Sequence, residues 1–289
     1  MADIALRPRR SVLYMPAANE RALEKAKTIP ADAVIFDLED AVAPDAKDAA
    51  RPNACAAAAS AGYGGRELTI RCNGLDTPWG AADLAAAATS GAAAVVIPKV
   101  SSVAYLDEIS ARLDAAGAPG TMAIWAMIET PTAIFDVRAI AAHPRVAVLV
   151  MGTNDLAREL RAGLVPGRQP LVPHLAVALA AAREAGKVIL DGVYNDVKDA
   201  EGFRAECVQG AEMGFDGKTL IHPGQVDIAN DVWAPSDDEV AHARRVIEAF
   251  DDGLASGKGV VTVDGRMIEN LHVANAQRTL AVAEAIAAL

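Results

Sequence analysis

The chain has 289 residues, 52% hydrophobic and only 4% aromatic, with a formal net charge of −11. That length permits one large domain or two small ones, and a single α/β barrel takes about 250 residues. The acidic balance argues against nucleic-acid and anionic-membrane partners, which need a basic face, yet leaves room for an anionic small ligand on a local basic patch.

The first ten residues lack the apolar core of a secretory leader, and no run approaches the ~18 apolar residues of a membrane span. The cytoplasm is therefore the expected location. Short β-rich segments then follow at 11–16, 33–38, 67–71, 94–99, 122–128, 146–151, 188–193 and 218–221. Between them, 19–28, 45–61, 78–89, 103–116, 131–143, 171–184 and 200–213 read as helices. Eight strands alternating with helices imply parallel pairing and right-handed crossovers, and fit a closed (β/α)8 barrel over residues 1–233 better than an open doubly wound sheet. The Ala-rich stretch 81–94 reads as a helix packed closely on the sheet, with no function attached. The cysteines Cys55, Cys72 and Cys207 are odd in number, widely spaced and without a CxxC, so they suggest neither a disulfide framework nor a zinc site.

After the eighth strand the pattern changes. Over 234–289 the sequence predicts a helix from Glu239 to Ala255, a break at Gly257-Lys258-Gly259, a hairpin of 260–263 and 266–268 turning at Asp264-Gly265, and a last helix over 271–289. This extension reads either as a lid over the site or as an arm for subunit packing.

In a (β/α)8 barrel the chemistry collects at the C-terminal ends of the strands. The second strand ends in Asp37-Leu38-Glu39-Asp40, the third in Arg71-Cys72-Asn73, the fourth in Pro98-Lys99, and the fifth in Glu129-Thr130. The sixth leads to Asn154-Asp155, the seventh gives Asp191 and Tyr194-Asn195, and the eighth ends in His222-Pro223. Two consecutive buried strands that each finish in an acid put two hard oxygen ligands at one end of the sheet. Glu129 and Asp155 are therefore the expected ligands of Mg²⁺, with substrate oxygens and water completing its shell. Capping of the following helices is the plainer alternative for both acids. Glu39 and Asp40 are placed to accept hydrogen bonds from metal-bound water, and Asp40 equally to cap the next helix. Arg71 is a fixed positive charge suited to a carboxylate or a developing oxyanion. His222 reads as a structural hydrogen-bonder. Arg21 and Lys25, four apart on one helical face, suggest phosphate binding at the mouth, or simply a solvated face.

The segments Arg10-Ser11-Val12-Leu13-Tyr14-Met15-Pro16, Phe36-Asp37-Leu38-Glu39-Asp40-Ala41-Val42, Ile97-Pro98-Lys99-Val100, Met127-Ile128-Glu129-Thr130 and Gly214-Phe215-Asp216-Gly217-Lys218, with Ile221-His222-Pro223, resemble the citrate lyase β-subunit-like family. That family belongs to the HpcH/HpaI aldolase group and the phosphoenolpyruvate/pyruvate barrel superfamily. The resemblance runs from Arg10 to the end of the chain. It implies a Mg²⁺-dependent enzyme, with Mn²⁺ as a substitute, acting on coenzyme A thioesters of hydroxy-dicarboxylic acids. It also implies a homotrimer or homohexamer. By similarity Glu129 and Asp155 match metal ligands, Arg71 a substrate-binding arginine, and Tyr14, Arg21 and Lys25 positions contacting the CoA ester. Many lyases of the family carry Met-Ile-Asp in the C-terminal flap, an acid/base that reaches a neighbouring subunit's site. Here Met267-Ile268-Glu269 keeps the carboxyl one methylene further out, so Glu269 is the implied catalytic acid. The Glu269-Asn270-Leu271-His272 ending looks most like the malyl-CoA thioesterase branch. At family level the first expectation is a lyase splitting malyl-CoA or citramalyl-CoA into acetyl-CoA and a 2-keto acid. Thioester hydrolysis comes close behind, and a citrate lyase β subunit working on an acyl-carrier-protein thioester is third.

Overall fold

The computed structural model describes residues 7–255 and 261–289. Eight parallel strands close into a barrel in chain order: β1 (Ser11–Pro16), β2 (Ala33–Asp37), β3 (Glu67–Arg71), β4 (Ala94–Ile97), β5 (Ala123–Ile128), β6 (Val146–Met151), β7 (Val188–Asp191) and β8 (Gly217–Leu220). The connecting helices are α1 (Glu20–Ala26), α2 (Lys47–Ala58), α3 (Gly80–Ala88), α4 (Val103–Ala115), α5 (Pro131–Ala142), α6 (Thr153–Leu160), α7 (Val172–Glu184), α8 (Ala200–Met213) and α9 (Val226–Val232). The expected fold is thus present. Helices α6 and α9 add to the seven helices that the sequence predicts for the barrel: α6 opens directly after Gly152, and α9 follows the short turn Pro223–Gln225.

Local signals place the helix starts. Asn19 accepts from the Ala22 N–H to cap α1, Ser102 caps α4, and Thr130 caps α5 with Pro131 in its first turn. Strand four ends at Ile97 and strand seven at Asp191, each two residues short of the sequence reading.

The barrel interior follows the two-residue period of a strand. Ala33 and Ile35, Ala94 and Val96, Trp125 and Met127, and Val148 and Val150 point inward as one apolar cluster. Continuing the alternation of β2 and β5 carries the same face to Asp37 and Glu129, so these two strands set acids above the apolar core.

Asp191 departs from the expectation that it faces the site. Val188 and Leu190 take the inward positions of β7, and Asp191 turns outward against Lys218 at 2.9 Å and Arg168 at 2.6 Å. Lys218 also meets Glu206 of α8 at 2.8 Å. Burial alone raises the Asp191 carboxyl, but Lys218 and Arg168 outweigh it and hold it below the usual carboxylate range. The network ties the segment ahead of α7 and helix α8 to the barrel wall. Asp191→Asn strips two buried cations of their shared anion, and the expected loss of stability is about 3–5 kcal/mol, read from urea unfolding midpoints.

Residues Arg9–Val232 form one compact unit, and Trp233–Leu289 lies in another. The latter holds α10 (Asp237–Ala255), a hairpin of β9 (Val261–Val263) and β10 (Arg266–Ile268), and α11 (Asn270–Ala287). The predicted break at Gly257-Lys258-Gly259 and the strand residue Val260 lie outside the described residues. Ala243, Val246, Val263, Ile268, Val273 and Ala276 give this unit a core of its own. Among the described residues no helix is long and apolar enough to cross a membrane.

Candidate active site

The registers of β2 and β3 bring Asp37 and Arg71 side by side at the top of the barrel. Two nitrogens of the guanidinium grip the Asp37 carboxylate, Nε at 2.7 Å and Nη2 at 2.6 Å, while Nη1 faces Glu39 at 2.8 Å and Asp40 at 3.7 Å. The guanidinium carbon lies 4.6 Å from the Tyr14 ring centre, so one face of the cation is stacked. Burial alone would favour the neutral arginine, but Asp37 and Glu39 more than offset it and hold the Arg71 pKa well above its usual value. The result is a permanent cation with one edge fixed by Asp37, the bidentate geometry that only arginine provides. Burial pushes the Tyr14 hydroxyl up, so it stays a neutral donor.

Glu129 leaves β5 on the inward face and is 2% exposed. Among the described residues its carboxylate accepts one hydrogen bond, from the Lys99 N–H at 2.6 Å. On its other side lies Gly152, where a Cβ would land on the Glu129 side chain. Glycine is therefore required at that point for contact reasons, its backbone φ of −94° being open to any residue. Burial first, then Glu39 and Asp155, push the Glu129 carboxyl up to about 8. The Glu39 carboxyl rises to about 7, again chiefly through burial.

Asp155 stands in the first turn of α6, where a negative charge meets the positive end of the helix. It pairs with the largely exposed Arg158 at 2.6 Å. Neither acid caps a helix: Thr130 does so for α5, and Gly152 holds the cap position of α6. Tyr14, Asp40, Arg71, Glu129, Asp155 and Asn195 all border one cavity of about 330 Å³. Glu39 lines an adjoining hollow of about 270 Å³ with Lys99 and Tyr105.

Sequence reasoning missed the groups that hold this cluster in place. Lys47 donates to the carbonyls of Leu38 and Glu39 at 2.9 and 2.7 Å and to the Asn73 side chain at 2.8 Å. Asp83, inside the Ala-rich helix, is fully buried and accepts from the Asn73 N–H and side-chain amide at 3.1 and 2.6 Å. A charged residue in a run of alanines was the available signal. His222 is exposed and accepts from the Gly224 N–H, the structural role expected of it. Arg21 and Lys25 are exposed on α1 and line neither cavity. Glu269 is exposed and opens α11, its N–H donating to His272 Nδ1 at 3.0 Å.

Four acids (Asp37, Asp40, Glu129, Asp155) and one cation (Arg71) border the cavity. Among the described residues no three His, Cys, Asp or Glu side chains cluster as a metal cage. A pair of hard carboxylates with surplus negative charge fits a divalent cation that keeps water and ligand oxygens in its shell. Glu129 and Asp155 are the residues that could hold it.

The HpcH/HpaI aldolase/citrate lyase family model matches residues 10–223. The chain is 52% identical over 281 residues to a (3S)-malyl-CoA thioesterase of Cereibacter sphaeroides, covering 97% of this chain and 96% of that one. It is 37% identical to the citrate lyase subunit beta of Escherichia coli, over 96% and 94% of the two chains. Among solved structures it resembles the CitE protein of Mycobacterium tuberculosis in complex with magnesium, acetoacetate and coenzyme A. That match has a TM-score of 0.76 and 28% identity over 95% of this chain and 97% of the other.

Proposed function

The chain belongs to the HpcH/HpaI aldolase/citrate lyase family, and on that footing we propose a Mg²⁺-dependent enzyme that hydrolyses a malyl-CoA-type thioester. The observation that carries the reading is the buried Glu129 bordering one cavity with Asp155 and with Arg71, whose Nε and Nη2 are held by Asp37. The similarity to thioesterases at 52% identity supports taking hydrolysis as the first reading, the reverse of the order that the sequence alone suggests. Cleavage to acetyl-CoA and a 2-keto acid is the second reading, favoured by the citrate lyase β subunits at 37%.

Bound Mg²⁺ supplies Lewis-acid polarisation of the acyl portion's oxygens. Glu129 and Asp155 would hold the cation, with Asp40 bordering the same cavity as an acceptor for ordered water, while Glu39 is committed to Arg71 at 2.8 Å. Arg71, kept in register by Asp37 and stacked on Tyr14, would hold the substrate's carboxylate through Nη1, where that carboxylate takes the place of Glu39. In hydrolysis water adds to the thioester carbonyl and the C–S bond breaks, giving malate and the CoA thiol. Glu269, on the hairpin unit of a neighbouring copy in a homotrimer or homohexamer, supplies the acid/base carboxyl. Purified protein incubated with (3S)-malyl-CoA and Mg²⁺ tests this directly. Equal amounts of free thiol and malate are expected, and glyoxylate with acetyl-CoA in their place would establish the cleavage reading.

Arg21 and Lys25 take the phosphates of the CoA portion, away from the reacting bond. Neutralising both should raise KM several-fold with kcat largely kept, because remote contacts act mostly as uniform binding. Steady-state kinetics of the double variant decides it, and a fallen kcat with unmoved KM would place these residues at the reacting centre.

A further inference from the structure

Lys99 is in the left-handed region, with φ of 49°, directly after Pro98 and two residues beyond the end of β4. A side chain with a Cβ is disfavoured there, and such conformations persist where the surroundings hold them, often at functional sites. Three other non-glycine residues of the described chain share the feature: Arg161, Arg168 and Asp264. Arg161 ends α6, Arg168 lies in the segment ahead of α7, Asp264 turns the hairpin, and Lys99 stands in the turn that follows β4. Lys99 alone of the four donates its backbone N–H to the Glu129 carboxylate, at 2.6 Å. Its side chain is half exposed, with Nζ no nearer than 3.9 Å to Glu39.

We propose that Lys99 is a positioning residue whose left-handed backbone, and not its ammonium group, aims an N–H at Glu129 and fixes that carboxylate for cation binding. The inference rests on the reading of Glu129 as a metal ligand. The carboxylate is clamped between two backbone features, the Lys99 amide on one side and the bare face of Gly152 on the other. One oxygen is thereby turned to the Lys99 amide, and the rotation of the carboxyl group is set. If the N–H moved with a relaxed backbone, the carboxyl would be free to rotate inside its pocket and the cation's coordination would loosen.

The test replaces Lys99 by residues of graded tolerance for the left-handed region: Lys99→Gly, Lys99→Asn and Lys99→Val. Mg²⁺ affinity of the metal-free protein is measured by calorimetric titration, alongside the urea unfolding midpoint. Gly and Asn variants should bind Mg²⁺ within about 3-fold of the wild type. The Val variant should bind at least about 10-fold more weakly, with a midpoint below that of the Gly variant because the left-handed backbone disfavours a β-branched side chain. Should the Val variant fail to fold, Lys99→Ala replaces it, and an affinity between those of the wild type and a 10-fold loss is expected. A Gly variant as weak as the Val variant would overturn the inference in favour of the side chain. A Val or Ala variant binding like wild type would show that the amide is dispensable. A wild type that binds no Mg²⁺ at all would instead remove the metal assignment on which the inference stands.

Discussion

Glu129→Gln should abolish Mg²⁺-dependent turnover, lowering kcat by about three orders of magnitude or more, while the barrel stays folded. The expected size follows from two effects that the substitution combines. It removes half of a two-carboxylate donor pair, and a divalent ion bound by one or two carboxylates plus water has little else to hold it. It also removes the polarisation that the ion supplies to the reacting carbonyl, worth several kcal/mol of transition-state stabilisation. Stability should not fall in parallel, because the Glu129 carboxyl is pushed up to about 8 by burial and by neighbouring acids. A buried acid of that kind opposes the metal-free fold in its charged form. The folded pKa lies above the unfolded one, near 4.5. The folded state then binds more protons than the unfolded chain between those values, and the metal-free protein loses stability as pH rises from about 4.5 to about 8. Added Mg²⁺ should consequently raise the melting temperature more at pH 8.5 than at pH 6, as a thermal-shift series at saturating Mg²⁺ would record. In Glu129→Gln both the Mg²⁺-induced shift and its pH dependence should vanish. Full activity of this variant at limiting Mg²⁺ would sink the metal assignment.

Glu269→Gln is expected to lower kcat by about 10²–10⁴, the range for loss of a general acid or base, with Mg²⁺ affinity untouched. The hairpin carries a second acid, Asp264, but it is engaged: Arg245 lies at 3.1 Å and His242 at 3.2 Å, and the Arg245 bond foremost holds its carboxyl below the usual range. Asp264 serves the turn, where its φ of 50° and the 77° of Gly265 shape a two-residue reversal. Glu269 has a backbone fixed at the start of α11 and an exposed side chain. Glu269→Asp shortens the reach by one methylene and restores the residue that many lyases of the family carry. If reach selects the outcome, product analysis should register a rise of glyoxylate relative to malate. Wild-type rates from Glu269→Gln would make the hairpin acid a bystander.

Much of this architecture can be read directly from the chain, and the reason is the period. Runs such as Ala33 to Phe36 and Ile124 to Ile128 are apolar on both faces because one side packs inside the barrel and the other under helices. The strand ends stand out because charge follows those runs abruptly. What escapes is direction. Asp191 ends its strand as Glu129 does, but alternation turns it outward, and counting in twos from Val188 would have told the two apart. The bond between Asp37 and Arg71 depends on register between strands, which no single segment encodes. Lys47 and Asp83 converge on Asn73 from positions 26 and 10 residues away, a meeting that only the closed barrel creates.

The tryptophan at the barrel's centre gives the protein a built-in optical reporter. Trp125 is wholly buried, and its indole N–H has no hydrogen-bond partner among the described residues. Trp79 and Trp233 are both partly exposed. Trp125 is therefore expected to supply the short-wavelength component of the emission and to be shielded from dissolved quenchers that reach the other two. Trp125, Met127 and Glu129 share one face of one strand and its extension, so a shift of the carboxylate is only two side chains from the fluorophore. Loss of that short-wavelength component in an unlabelled sample is the expected sign that water has entered the barrel interior around Trp125.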